Sequence, residues 1–143
     1  MSKKSTAIAA LVEQFRGQEL NARYLEYFEC FNRQHYFEAH AVLEELWLAQ
    51  RNGVNGSFYK GLIQLAGAFV HLQKNRLRPA GALFKLAEGN LKPYLPVHEK
   101  MDVDAVLSLI QSWLRKLEPI HPDIHPLAHN AAPKLKLRLG TEA

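Results

Sequence analysis

From Phe58 to about Lys74, apolar side chains occupy almost every position, so a helix over this stretch has no polar face wide enough to meet water. Such a segment is stable only when other helices wrap it, and that requirement dictates a helical bundle. Its longest near-apolar run, Gly61 to Leu72, contains Gln64 and His71 and is well short of the roughly 20 residues a bilayer span needs. The interruptions fall in register: Lys60, Gln64, Gly67 and His71 share one stripe, flanked by Gly61 and Ala68. Glycine costs a helix about 1 kcal/mol relative to alanine, so glycines here imply the close approach of a neighbouring helix. Ser57 is placed to cap this helix.

The expected neighbour is a helix from Tyr36 to about Gln50. At about 100° per residue, Tyr36, His40, Glu44 and Trp47 fall on one narrow stripe, an imidazole and a carboxylate one turn apart between two large aromatics. Glu38 and Glu45 project to nearly the opposite side, toward solvent. If this stripe faces the one carrying Gln64 and His71, the four polar side chains form a buried cluster.

The remaining segments follow the same period. Thr6 to Phe15 is weakly amphipathic and ends near Gly17. Glu19 to Asn32 carries Leu20, Tyr24, Tyr27, Phe28 and Phe31 on a broad apolar face, with Cys30 as a buried structural thiol. A turn spans Arg51 to Gly56, with two glycines and two asparagines. Pro79 suits the first turn of a helix running to about Leu91 and ended by Pro93 and Pro96. Asp102 or Asp104 caps a last helix whose apolar face includes Val106, Leu107, Ile110, Trp113 and Leu117. From residue 119 onward, prolines preclude a continuous helix, and Lys134 to Leu139 alternates as an extended arm lying on the domain or on a partner. No other segment has convincing period-two patterning. The fold expected is all-α: a compact bundle of about five or six helices in antiparallel hairpins over residues 1–118, with a Pro-rich extended tail over 119–143.

Charge narrows the function classes. The net +4 divides unevenly: Glu19 to Gln50 holds six acids against two bases, and Arg51 to Met101 holds eight bases against two acids. The basic surplus lies mostly at helix ends and loops, and no aromatic-interleaved basic motif marks a nucleic-acid face, so nucleic acid is not an expected partner. One cysteine favours a reducing compartment, and the absence of a leader-like or spanning segment favours a soluble, cytoplasmic protein without a membrane partner. Self-association through apolar surface or the tail is the partner reading, beside a protein or small molecule.

The ordered run Phe31-Asn32, Tyr36-Phe37-Glu38-Ala39-His40, Leu43-Glu44-Glu45-x-Trp47, Tyr59-Lys60-Gly61-Leu62-Ile63-Gln64-Leu65-Ala66 and His71 resembles the small helical domain-of-unknown-function family number 309. The resemblance covers about residues 24–94. It implies a compact helical bundle whose recurring polar positions are His40, Glu44, Gln64 and His71, with Trp47 beside them, and it implies no established activity. One position departs: the residue after the histidine, often glutamate in the family, is Ala41.

Two classes of function follow. In the first, the His/Glu/Gln/His cluster is a structural network that fixes helix register in an interaction or scaffold module. In the second, His40 and Glu44 perform acid–base work on a small molecule, with Tyr36, Trp47, Lys60 and Gln64 lining the pocket. The metal-dependent form of that reading adds His71, making a two-histidine, one-carboxylate set for a divalent transition metal, the one cofactor these residues suggest. His121, His125 and His129 are spaced four apart, but Pro122 and Pro126 break the helix that would align them. His35 and His98 are expected in loops or at the surface. There is no phosphate-cradling glycine loop and no nucleophile elbow.

Overall fold

The computed structural model describes residues 20–118 and 133–137. Five helices are packed against one another within them: α1 (Ala22–Asn32), α2 (Tyr36–Gln50), α3 (Gly56–Gln73), α4 (Leu77–Leu91) and α5 (Val103–Leu117). The all-α expectation holds. The expected helix over Thr6 to Phe15 and the histidines at 121, 125 and 129 lie outside the described residues.

Two helices, the first and the last, begin where a side chain offers a partner to their orphan amides. The Asn21 side chain accepts from the Arg23 amide at 2.8 Å at the head of α1, and Asp102 accepts from the Ala105 amide at 2.9 Å at the head of α5. α3 differs from expectation. It starts at Gly56, so Ser57 lies inside the helix, and the preceding Asn55 makes no capping bond. The Asn55 amide is engaged elsewhere, as described below. A Cβ on Gly56 would collide with the Arg51 carbonyl, which accounts for glycine at this tight entry.

α3 lies at the centre, and Phe69 shows how. Its ring meets Phe31 of α1 at 5.4 Å, Tyr36 of α2 at 5.0 Å, Phe84 of α4 at 5.3 Å and Trp113 of α5 at 5.4 Å. One ring from every other helix therefore touches a single side chain, three of them edge-on, the geometry that the ring quadrupoles favour. Tyr27 of α1 adds a tie by donating its hydroxyl proton to the Leu62 carbonyl of α3 at 2.6 Å. Successive helices run antiparallel: Phe31 meets Tyr36 while Arg23 meets Glu45, Tyr36 meets Phe69 while Trp47 meets Lys60, Gly61 faces Leu91 while Gly67 faces Leu83, and Phe84 stacks on Trp113 while Gln111 reaches Glu88 at 3.0 Å.

The glycines of α3 do mark a close helix approach, but to α4 rather than α2. A Cβ on Gly61 would sit 2.8 Å from Leu91, and one on Gly67 would sit 3.2 Å from Leu83. Two short strands, Val97–His98 and Met101–Asp102, form an antiparallel pair ahead of α5. Two residues are too few to show a period, which is why the pattern gave no sign of them. The turn between them places Glu99 and Lys100 at positive φ, 49° and 62°. The described part of the C-terminal arm lies on the domain. Leu135 is buried, its amide donates to Asn32 Oδ1 at 2.7 Å, its carbonyl accepts from Asn32 Nδ2 at 2.8 Å, and Leu137 bridges to Met101.

The seam between α3 and α4 and the outer face of α4 give opposite expectations for adding a methyl group. Gly61→Ala gains helix propensity but presses on the buried Leu91, with a net loss of about 1 kcal/mol expected in denaturant unfolding. Gly89 of α4 has nothing within 4 Å, so Gly89→Ala is expected to gain roughly 0.5–1 kcal/mol in the same measurement.

Candidate functional site

His40 and Glu44 come together as the one-turn spacing requires, with Nε2 and Oε2 3.9 Å apart. They are not buried: the side chains are 35% and 49% exposed. No polar or charged residue among those described is fully buried. The buried four-residue cluster is thus corrected, and the packing of α3 explains why. Its stripe of Lys60, Gln64, Gly67 and His71 is the outer ridge of the helix, because the core claims every other direction, with Phe58, Leu62, Leu65, Ala66, Phe69 and Leu72 all fully enclosed.

The partners also differ. Gln64 Oε1 accepts from Asn90 Nδ2 of α4 at 2.7 Å, so it ties α3 to α4 instead of serving His40 and Glu44. Lys60 lies toward α2, its ammonium 5.9 Å from the Trp47 ring centroid. Tyr36 is no pocket wall. It is fully enclosed between Phe31 and Phe69, its hydroxyl has no hydrogen-bond partner, and burial pushes its pKa up to about 12. His71 sits near the end of α3, where Nδ1 is enclosed without a partner. Burial, and then the charges of Arg76 and Lys74, hold its pKa below the ordinary 6.5. Among the described residues no group of three or more His, Cys, Asp or Glu is placed to hold a metal, so His40, Glu44 and His71 are not assembled into the ligand set their types suggested.

A second polar group was missed by the sequence reading. Asn55 Oδ1 lies 2.6 Å from His98 Nε2, and Asn55 Nδ2 reaches the Tyr59 hydroxyl at 3.3 Å and Glu99 Oε1 at 3.4 Å. The His98 ring is also packed against Phe58 and Tyr94, each at 4.7 Å. Burial raises the Tyr59 pKa, the Asn55 bond pulls it down and Glu99 raises it. His98 is therefore half-buried rather than a plain surface residue. Its sequence spacing from Asn55 carries no periodic signal, and the left-handed turn at Glu99 lies directly beside the contact. The group fastens the strand pair to the head of α3, and Tyr24 assists by donating to the Glu99 carbonyl at 2.9 Å.

An open groove of about 270 Å³ runs between α1 and α2, lined by Arg23, Glu26, Phe37, Glu38, Ala41, Val42 and Glu45. Phe37 is 66% exposed, an unusual placement for a phenyl ring on a helix whose other face is packed. Arg23 pairs with Glu45 across the groove.

With the hairpin of α1 and α2 and its ties to α3 in view, comparison with known proteins is informative. Residues 24–83 match the family model described as domain of unknown function DUF309. The resemblance read from the sequence is borne out. The DUF309 match takes in α1 almost whole, α2, α3 and the first half of α4, and ends short of residue 94. It contains the groove's lining apart from Arg23, the His40–Glu44 pair and the Asn55 side of the missed group. No curated protein and no solved structure matches the chain.

Two expectations follow from these environments. Tyr36→Phe removes a hydroxyl with no partner and should be neutral or stabilising, by up to about 1 kcal/mol. Tyr27→Phe breaks an enclosed hydrogen bond and should cost roughly 1–2 kcal/mol, both read by chemical denaturation. The lowered His71 pKa has a sign that can be worked out. Above pH 6.5 the ring is neutral in folded and unfolded chains alike, and below it the unfolded ring takes up a proton first, so stability is lost as pH falls from 6.5 through the folded value. His71→Gln should flatten that part of the stability–pH profile.

Proposed function

We propose that this protein is an interaction module whose binding face is the groove between α1 and α2. The observation that carries the reading is Phe37, a large aromatic left in water beside Ala41 and Val42 and ringed by carboxylates. Such a residue loses little by being covered and serves as an anchor when a partner excludes water from it. The carboxylates of Glu26, Glu38 and Glu45 outnumber Arg23, which is itself paired. The fitting partner is a basic segment with an apolar side chain for Phe37, helical or extended. Gln64 and Asn90 then serve structure by holding α3 against α4.

A second reading keeps acid–base work on a small molecule at His40 and Glu44, supported by the pair's accessible geometry and by Trp47 and Lys60 close by. The two separate by experiment. A lysine- and leucine-rich amphipathic peptide, followed by fluorescence anisotropy, should bind in a salt-sensitive manner. Phe37→Ala or Glu38→Lys should weaken it by about tenfold, while Glu44→Gln leaves it unchanged. Peptide binding indifferent to Phe37 would turn the choice toward the second reading.

A further inference from the structure

The basic surplus of the second half of the chain is dispersed in sequence but gathered in space. The turn joining α1 to α2, the turn joining α3 to α4 and the last turn of α5 all lie at one end of the bundle. Gln73 Nε2 donates to the Gln34 carbonyl at 3.0 Å, which joins the first two, and the antiparallel pairing of Phe84 with Trp113 brings the end of α5 to the start of α4. Exposed at this end are Lys74, Arg76, Arg78, Arg115 and Lys116. Arg33 is there as well, though paired with Glu29, and Lys134 donates to the Asn32 carbonyl at 2.9 Å. Among the described residues, Lys74, Arg76, Arg78 and Arg115 make no ion pair.

Helix dipoles explain only some of these positions. Lys74 follows α3, and Arg115 and Lys116 close α5, where cations are favoured by the negative end of each helix. Arg76 and Arg78 stand at the positive end of α4, whose first turn holds no acid. There the dipole opposes them, and although Glu118 closes α5 at the same end, neither arginine makes an ion pair among the described residues. An anion bridging the turn would satisfy both arginines and the neighbouring cations together. Arginine is the side chain suited to phosphate, since its planar fork donates two parallel hydrogen bonds.

We propose that this end of the bundle binds the phosphodiester backbone of nucleic acid, through Lys74, Arg76, Arg78, Arg115 and Lys116. The contact reads charge and spacing, not base sequence, because no side chain of the patch is positioned as a groove-reading element. A lipid surface fits less well. Among the described residues, the exposed Val54, Leu95 and Val97 lie at the opposite end, around the strand pair, and Phe37, at the start of α2, stands among the groove's carboxylates, which an anionic bilayer would repel. The groove between α1 and α2 is a separate face, and this proposal stands or falls without it.

The test is fluorescence anisotropy of full-length protein with a labelled random-sequence duplex, repeated with RNA and with phosphatidylserine vesicles. Wild-type protein should bind the duplex or the RNA, and on the duplex the logarithm of its affinity should fall with the logarithm of salt at a slope of about −4, as expected for four to five phosphate contacts. Arg76→Glu with Arg78→Glu should weaken binding at least about tenfold and flatten the slope by about 2. Arg115→Gln with Lys116→Gln should weaken it in the same direction. Arg51→Glu with Lys92→Glu, the same charge change at the far end, should stay within about twofold. Circular-dichroism melting verifies that each variant is folded. The proposal is overturned by absence of salt-dependent binding to either nucleic acid, by equal losses in the two reversed pairs, or by binding to vesicles alone.

Discussion

Phe69 is the point at which the five helices meet. Rings from α1, α2, α4 and α5 all close on it, and each contact fixes the rotation of its helix about the axis of α3 as well as its distance. Edge-to-face ring pairs contribute about 0.5–1.5 kcal/mol each beyond the area they bury, so the junction is worth more than an equal volume of aliphatic side chains. It also leaves little freedom. With the inward directions of α3 claimed by Phe69 and its neighbours, the polar residues of the same helix must lie on the narrow strip that remains.

That strip accounts for the fate of the residues that first drew attention. Gln64 and Lys60 take the nearest partner on either side, Asn90 of α4 and Trp47 of α2, and His71 is left at the end near Lys74 and Arg76. The chemistry visible at the surface is consequently divided. A carboxylate-lined groove with an exposed phenylalanine occupies one flank, and a collection of cations occupies one end. A chain with a net charge of only +4 thus presents two regions of opposite sign.

Much of this fold was legible in the sequence because helical periodicity reports on burial, and the core is where the pattern is strongest. The pattern gives the helix from Tyr36 to about Gln50, offers Asp102 or Asp104 as a cap, of which Asp102 serves, and marks the glycines of α3 as a close helix contact. What periodicity cannot report is which neighbour a face meets. The stripe of Gln64 and His71 was assigned to α2, whereas its glycine-flanked edge packs on α4, since two helices on either side of α3 leave the same mark on its pattern. Contacts set by turns were equally hidden. Asn55 meets His98 across 43 residues beside a turn in which Glu99 and Lys100 adopt left-handed backbone angles, and neither is a residue type that advertises them. The basic end was hidden for a related reason: its members come from separate loops, and only antiparallel packing collects them.

The reciprocal pair of hydrogen bonds between Asn32 and Leu135 joins residues 103 positions apart. Asn32 is the last residue of α1, so this clasp converts the chain from α1 to the arm into a closed circuit without a covalent link. Loosening the arm exposes the amide of Asn32 and the apolar side chain of Leu135 together, and the edge of Met101 with them. The clasp thereby seats the arm at the turn between α1 and α2, beside the first turn of the helix that carries Phe37.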